Sequence, residues 1–120
     1  MNSVKFIKFL SWNVRGLNDK IKRTNVKKTI LDEAPQIICL QETKWSSVNE
    51  NYIKQTIGTR LDQNLQILAH GSAGGVLLAW NSVMFTKIGQ QIDTYCLSVD
   101  LANNLDDSIF RITGTYGPAT

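Results

Sequence analysis

The sequence predicts an α/β fold in which a strand–helix–strand unit is followed by an antiparallel meander. Two apolar segments, residues 4–14 and 36–41, flank a stretch with helical periodicity at residues 20–34. Five further segments rich in strand-forming residues follow residue 60, and short polar breaks separate them. A chain of 120 residues is long enough for one small domain with one core, so we expect the meander to extend a single mixed sheet.

The first strand is predicted over residues 4–14, because β-branched and aromatic residues fill this window. Gly16 ends the strand, and Asn18 or Asp19 can cap the helix that follows. Pro35 ends that helix, since the residue before a proline avoids the α region. The helix has apolar residues on one face at offsets of 0, 4, 5 and 8: Val26, Ile30, Leu31 and Ala34.

The second strand, QIICLQ at residues 36–41, lacks the alternation of a half-exposed strand, so both of its faces are expected to be covered. Residues 48–57 predict a short second helix. Turns are predicted at the segments HGSAGG, WNS, GQQ and ANNLDD. The strands of the meander are predicted at residues 65–69, 74–80, 83–88, 94–101 and 108–116.

Basic residues are concentrated in the first half of the chain. Through Arg60 there are eleven basic and five acidic residues, which leaves +6 there and −3 in the remainder. This distribution fits a polyanionic partner, and it also fits an ordinary solvated helix face. Charge by itself leaves both interpretations open.

The two cysteines, Cys39 and Cys96, lie inside apolar segments and form no Cys-x-x-Cys pair. We expect buried free thiols of a reducing compartment rather than a zinc site. The first twelve residues include Lys5 and Lys8, which interrupt a short apolar segment and make it a poor signal peptide or membrane span. The expected location is therefore intracellular, in the nucleus or cytoplasm, without a membrane partner.

Each of the first two strands ends in polar residues. Strands joined through one helix are parallel, so their carboxyl ends lie at the same edge of the sheet. Asn13 and Glu42 follow the two apolar segments and are expected to converge there, where open α/β sheets place their ligand crevices.

A carboxylate beside a carboxamide is suited to Mg²⁺, which takes oxygen ligands and often uses one or two protein carboxylates together with substrate phosphate. Glu42 would supply charge, and Asn13 would supply either a neutral oxygen or an orienting hydrogen bond. Lys44 and Arg15 are candidates to hold a phosphate. Asn and Glu are also common turn residues at strand ends. The spacing by itself therefore does not distinguish a metal site from an ordinary turn.

Three other features of the sequence could belong to a binding site or to the fold alone. The GSAGG segment lacks the lysine and helix start of a P-loop, so a tight turn into the next strand is predicted. Trp12 and Trp80 lie in apolar strands and are expected in the core. Trp45 follows Glu42 and is the better surface candidate for stacking on a base.

Four segments carry a resemblance to a known family. FLSWNVRGLN (9–18) and APQIICLQETKW (34–45) resemble the opening of the endonuclease/exonuclease/phosphatase superfamily, which includes DNase I-like and apurinic-site nucleases. GSAGGVLLAW (71–80) and TYGP (115–118) resemble later segments of that superfamily in the same order. The residues of the first three segments are similar to those of the plant LINE-type non-LTR retrotransposon endonucleases.

The resemblance implies the N-terminal half of a DNase I-like α/β-sandwich that cleaves phosphodiesters in DNA or RNA with Mg²⁺. By matching position, Glu42 corresponds to the metal-binding glutamate, Asn13 to the asparagine beside it, and Tyr116 to the tyrosine that contacts the scissile phosphate. Lys44 corresponds to a supporting lysine of apurinic-site nucleases. Arg15 departs from their aspartate, which favours the retroelement branch, and Ala119 stands near a position where many members have asparagine.

The family's later motifs, which contain its catalytic aspartates and histidine, are not recognised. Only four residues follow Tyr116, and the one histidine, His70, precedes GSAGG. We therefore expect residues 1–120 to form a partial domain truncated after the tyrosine motif, inactive alone, with self-association through an exposed sheet face. Two alternatives remain: a superfamily phosphatase acting on phosphoinositides or small phosphoesters, and a non-catalytic relic or nucleic-acid-binding module.

Overall fold

The computed structural model describes residues 6–71 and 73–116, and its elements follow the predicted order. The predicted α/β class is confirmed. Residues 4 and 5 of the predicted first strand, and Ala119, lie outside the described residues. The elements are β1 (Phe9–Asn13), α1 (Lys20–Glu33), β2 (Ile37–Gln41), α2 (Glu50–Ile57), β3 (Gln63–Ile67), β4 (Val76–Trp80), β5 (Phe85–Ile92), β6 (Cys96–Asn103) and β7 (Ile109–Thr115).

The strands form two sheets, so the prediction of one mixed sheet extended by the meander is wrong. The first sheet has the order β1-β2-β4-β3, with β1 and β2 parallel and the other neighbours antiparallel. The second sheet, β5-β6-β7, is entirely antiparallel. The chain changes sheets at a turn after β4, where Asn81 accepts hydrogen bonds from the backbone of Val83 and Phe85. The turn directs Phe85 into the space between the sheets.

The first sheet is covered on both faces. The helices cover one face, and the second sheet covers the other. β2 is accordingly buried from Ile37 to Leu40, as its unbroken apolar run predicts. The expected open apolar face is therefore a wrong prediction, because that face packs against β6 and β7. The inter-sheet layer contains Ile37, Cys39, Val76, Leu78, Trp80, Phe85, Leu97, Val99, Leu101 and Ile112.

Helix α1 differs from its predicted apolar stripe. Asp19 caps the helix, and Ala34 ends it in a left-handed conformation before Pro35. Val26 and Ile30 are buried as predicted, but Leu31 is 58% exposed. The third buried position is taken by Arg23, three residues before Val26, because this face packs against α2.

The predicted break at GQQ is also wrong, because Gly89 lies within β5. An irregularity in the pairing between Lys87 and Gly89 accommodates the glycine, and the strand continues to Ile92. The turn to β6 follows at Asp93.

Both cysteines are free, as predicted, with Cys39 buried and Cys96 half-buried. Burial raises the pKa of the Cys39 thiol to about 11, so Cys39 packs as a small neutral side chain between the sheets. Among the described helices, none combines the length and apolar character that crossing a membrane requires.

Candidate active site at the carboxyl edge of the first sheet

The parallel pairing of β1 and β2 brings the two predicted site residues together. Asn13 lies opposite Gln41 in the register, so Glu42 is the next residue beyond the paired strands. The Asn13 Nδ2 atom donates a hydrogen bond to Glu42 Oε2 over 2.6 Å. The predicted convergence of these two side chains is confirmed.

A second hydrogen bond fixes the orientation of the Asn13 amide. Its Oδ1 atom accepts from the backbone N–H of Arg15 over 3.1 Å. Because a backbone N–H can only donate, the amide oxygen must face Arg15, and the amide nitrogen therefore faces Glu42. Of the two roles expected for Asn13, this arrangement supports the orienting hydrogen bond.

Glu42 lies in the left-handed region of the backbone, with φ at 59°. Arg15 and Lys44 share this conformation, so three of the five described non-glycine residues with positive φ belong to the two strand-end loops. The conformation costs about 1–2 kcal/mol per residue and persists only where surrounding contacts hold it. The backbone conformation of Glu42 thus sets the direction in which its carboxylate points.

Backbone hydrogen bonds on both sides hold Glu42 in this conformation. Gly16 N–H donates to the Glu42 carbonyl over 2.7 Å, and Glu42 N–H donates to the Gly75 carbonyl over 2.9 Å. Lys44 N–H donates to the Gly74 carbonyl over 2.8 Å. The β1–α1 loop and the GSAGG turn therefore hold the β2 end between them.

Gly74 packs directly against Glu42. A Cβ atom at Gly74 would lie 3.0 Å from the Glu42 Cγ atom and 3.2 Å from its Cα atom. The described residues of the GSAGG segment, 71 and 73–75, lead into β4 as the predicted turn does, and Gly74 also forms a wall of the site, which the sequence did not indicate.

The two basic residues predicted to bind phosphate lie on the same two loops. Lys44 Nζ is 3.8 Å from Glu42 Oε1, and both side chains are substantially exposed. Such a solvated pair contributes little to stability, so Lys44 can exchange this contact for a phosphate. Arg15 contributes its backbone N–H to Asn13, and it is exposed to solvent.

Tyr116 reaches the site through its backbone. Its carbonyl accepts from Gly74 N–H over 3.2 Å. Its hydroxyl donates to the Asp93 carbonyl in the β5–β6 turn, and its ring lies 6.4 Å from that of Tyr95. The structure thus brings together four of the five predicted residues, Asn13, Arg15, Glu42 and Lys44, whereas the Tyr116 hydroxyl is bonded to the β5–β6 turn.

The sequence matches the Endonuclease/Exonuclease/phosphatase family over residues 10–117, a range that contains Asn13, Glu42 and Tyr116. The chain belongs to this family. No curated protein matches the sequence.

Solved structures show the fold of the family. The catalytic domain of human Nocturnin, determined with a bound sulfate anion, aligns with a TM-score of 0.67 at 13% identity, over 89% of this chain and 48% of that one. The AP endonuclease LMAP from Leishmania major aligns with a TM-score of 0.58 at 22% identity, over 92% of this chain and 40% of that one. The family member described here therefore spans less than half of each matched chain.

The donors present in this family member suit a metal ion that shares its ligands with a substrate. Residues 6–71 and 73–116 contain no group of three or more His, Cys, Asp and Glu side chains that could enclose a metal. Glu42 provides one carboxylate beside the Asn13 amide. Mg²⁺ keeps several waters and is commonly bound through one or two carboxylates and phosphate oxygens, so this donor set fits it.

His70 lies in the turn before β4, as predicted. Its backbone N–H donates to the Ala73 carbonyl over 3.0 Å, and its carbonyl accepts from the Ala73 N–H over 2.9 Å. The residue is exposed. Among the described residues, no side chain, and so no aspartate, forms a hydrogen bond with its imidazole.

Trp45 is buried, and the prediction that it is a surface residue for base stacking is wrong. It is only 2% exposed, and its indole Nε1 donates to the Leu17 carbonyl over 3.1 Å. The chain turns inward after Lys44, so that the indole closes the helix-side core. The apolar character of Trp45 was a signal for this burial.

Proposed function

We propose that the chain is the N-terminal part of a Mg²⁺-dependent phosphodiester-cleaving endonuclease domain of LINE-type retrotransposon origin. The observation that carries the proposal is the Asn13–Glu42 pair, whose atoms lie 2.6 Å apart between strained loops. Membership of the family supports the reaction class. The similarity of SWNVRGLN and CLQETKW to plant LINE-type nucleases supports the origin.

The roles of the residues follow from their positions. Glu42 would hold the ion, and Asn13 would keep the carboxylate oriented through its amide N–H. Lys44 and Arg15 would bind phosphate oxygens, and Tyr116 would contact the scissile phosphate after its hydroxyl leaves Asp93. A bound Mg²⁺ would neutralise charge on the phosphate and on the leaving oxygen. Hydrolysis further requires a base that takes a proton from the attacking water.

We also propose that this chain alone does not turn over phosphodiesters. The sequence contains one histidine, and its backbone is bonded within the turn at Ala73. Neither Asn13 nor Lys44 is suited to accept a proton, because an amide is too weak a base and the ammonium carries no lone pair. Within residues 6–71 and 73–116, we therefore expect a metal and phosphate site without a positioned general base.

The substitution Glu42→Gln tests the metal site. It keeps the side-chain shape and removes the charge, so the Mg²⁺ dissociation constant is expected to rise about tenfold or more. Titration followed by amide NMR measures this, and Glu50→Gln on α2 is the matched control. Equal Mg²⁺ affinity in Glu42→Gln and wild type would contradict the site. Nicking of supercoiled plasmid by the wild type that Glu42→Gln abolishes would support the site and contradict inactivity.

The charges of α1 favour a polymeric nucleic acid over a small phosphoester. The first turn of the helix presents Lys20 and Lys22, whereas the side chain of Arg23 in the same turn is buried, and the last turn contains Asp32 and Glu33. This distribution of charges is unfavourable for the helix, because its macrodipole favours acidic side chains near the N-terminus and basic ones near the C-terminus. Because α1 begins where β1 ends, its basic end lies at the edge that carries Asn13 and Glu42. Several phosphates of one strand can use such a surface, whereas a single phosphate can use only part of it.

The double substitution Lys20→Glu/Lys22→Glu separates these substrates. It is expected to raise helix stability by about 0.5–1 kcal/mol while lowering affinity for DNA, and to reduce the salt slope of DNA binding by about 2. Fluorescence anisotropy at several salt concentrations measures the slope, and Lys28→Glu in the middle of α1 is the control. Opposite signs for stability and affinity exclude unfolding as the cause. If the salt slope of DNA binding is the same in the double variant and the wild type, or if neither binds DNA, the result would favour the phosphatase alternative or a chain that does not bind nucleic acid.

The chain's own association is proposed at a different surface from the one first expected. A groove of about 320 Å³ lies beside β1 and β7 and is lined by Ile7, Phe9, Ile37 and residues 110–113. Phe9 and Ile109 remain 46% and 65% exposed. Sedimentation velocity over a concentration series measures this association.

The location we propose for the protein is intracellular, which is consistent with the free thiols.

A further inference from the structure

Arg23 is a buried cation with no acidic partner among residues 6–71 and 73–116. It is only 4% exposed, and in the described part of the chain no carboxylate lies within salt-bridge distance of it. Its guanidinium lies 3.6 Å from the centre of the Tyr52 ring, and Nε donates to Gln55 Oε1 over 2.8 Å. Burying an unpaired charge is costly, so the position calls for a physical reason.

The remaining contact of Arg23 leads toward the site. Its Nη1 atom donates to the Leu17 carbonyl over 2.9 Å, and the same carbonyl accepts from Trp45. Leu17 N–H donates to the Thr43 carbonyl over 2.9 Å, next to the Gly16 bond to Glu42. Arg23 thus fastens the β1–α1 loop at the point where it pairs with the loop that carries Glu42.

We propose that Arg23 is a positioning residue for Glu42. Glu42 keeps its left-handed backbone only while Gly16 and Gly75 hold it. The bond from Arg23 to Leu17 holds the Gly16 side of this arrangement, and the contacts with Tyr52 and Gln55 tie it to α2. A planar guanidinium can serve all three partners at once, which a shorter or apolar side chain cannot.

This proposal deepens the proposed function, since it concerns the same metal site, but it also has a consequence that does not depend on catalysis. Weakening the bond to Leu17 would broaden the backbone conformation of Glu42 whether or not a metal binds. The amide resonance of Glu42 therefore reports on the position of Glu42, and Mg²⁺ affinity reports on whether that position matters for metal binding. A purely structural role in joining α1 to α2 would change global stability and leave both readouts alone.

The experiment compares Arg23→Met, Arg23→Lys and Gln55→Met in the whole chain, by urea unfolding, amide NMR and Mg²⁺ titration. Loss of a positioning contact typically weakens metal binding 10–100-fold, so Arg23→Met is expected to raise the Mg²⁺ dissociation constant about tenfold and to shift the Glu42 amide resonance. Arg23→Lys, which keeps the positive charge and a single donor nitrogen for the Leu17 carbonyl, is expected to rescue most of this, to within about threefold of wild type. Gln55→Met removes the α2 acceptor but keeps Leu17, so its dissociation constant stays within about twofold.

If Arg23→Met does not fold, Arg23→Lys alone carries the test through its smaller shift in the Glu42 resonance. The proposal is overturned if the folded Arg23 variants keep the wild-type Glu42 resonance. It is overturned equally if Gln55→Met weakens Mg²⁺ binding as much as Arg23→Met does. A wild-type chain that binds no Mg²⁺ would instead contradict the proposed function, while the Glu42 resonance would still decide the role of Arg23.

Discussion

Replacing Gly114 by alanine is expected to destabilise the chain by about 2–3 kcal/mol, and valine is expected to cost more. Gly114 lies on β7, the strand that packs against β2 and β4 of the first sheet. A Cβ atom there would lie 2.7 Å from Cys39 Sγ and 2.9 Å from Val76 Cγ2, inside the inter-sheet layer. These neighbours are buried and cannot move aside without separating the sheets. Urea unfolding followed by circular dichroism measures the loss.

Two further variants make the Gly114 result specific. Gly89→Ala is the matched control in a strand, because the one close approach of its new Cβ atom, at 3.0 Å, is to Asp100 Oδ2 at the end of a side chain, while the other Asp100 atoms lie at 3.8 Å. The double substitution Cys39→Ala/Gly114→Ala removes the closest clash and is expected to recover about 1 kcal/mol relative to additivity. A Gly114→Ala chain as stable as wild type would mean that the sheets do not approach as closely as described.

Gly75→Ala is expected to destabilise the chain by about 3 kcal/mol and also to weaken Mg²⁺ binding. Gly75 has φ at 86°, and a Cβ atom would lie 3.0 Å from the Ile67 carbonyl oxygen and 3.1 Å from the Ala69 backbone nitrogen. Backbone atoms of a packed turn cannot rotate away as a side chain can. The Gly75 carbonyl also accepts from Glu42 N–H, so any displacement reaches the proposed metal ligand.

Gly71→Ala is the control for Gly75, since the two glycines share positive φ and the same turn. Gly71 has φ at 60° and nothing within 4 Å of a new Cβ atom, so its substitution costs only the backbone strain, about 1 kcal/mol. Urea unfolding and Mg²⁺ titration are measured on both variants. Equal losses at the two positions would show that crowding against the site loop plays no part.

The order of elements could be predicted because its signals are local. Asp19 and Pro35 mark the ends of α1, and the apolar run of β2 indicates a strand covered on both faces. The approach of Asn13 to Glu42 followed from these signals, because a strand–helix–strand unit aligns the carboxyl ends of its strands. The family could likewise be predicted from the motifs that surround these residues, and the match over residues 10–117 confirms it.

Other parts of the site depend on contacts between distant residues. The hydrogen bond between Gln41 and Thr115 joins the two sheets across 74 positions of the chain, and nothing near either residue indicates it. The same is true of Gly74 against Glu42 and of the bond between the Tyr116 hydroxyl and Asp93. The burial of Trp45 is likewise not predictable from its neighbours, because an aromatic residue after a polar loop fits either a surface or a core.

Periodicity, capping and strand propensity act over a few residues, so the amino-acid order was enough to predict the helices, the strands and the meeting of Asn13 with Glu42. The division of the strands into two sheets, the burial of Arg23 and the left-handed backbone of Glu42 could be known only from the packed chain. Each of these depends on which faces meet across the core. That is a property of the whole arrangement, in which hydrophobic burial and close packing outweigh local preference.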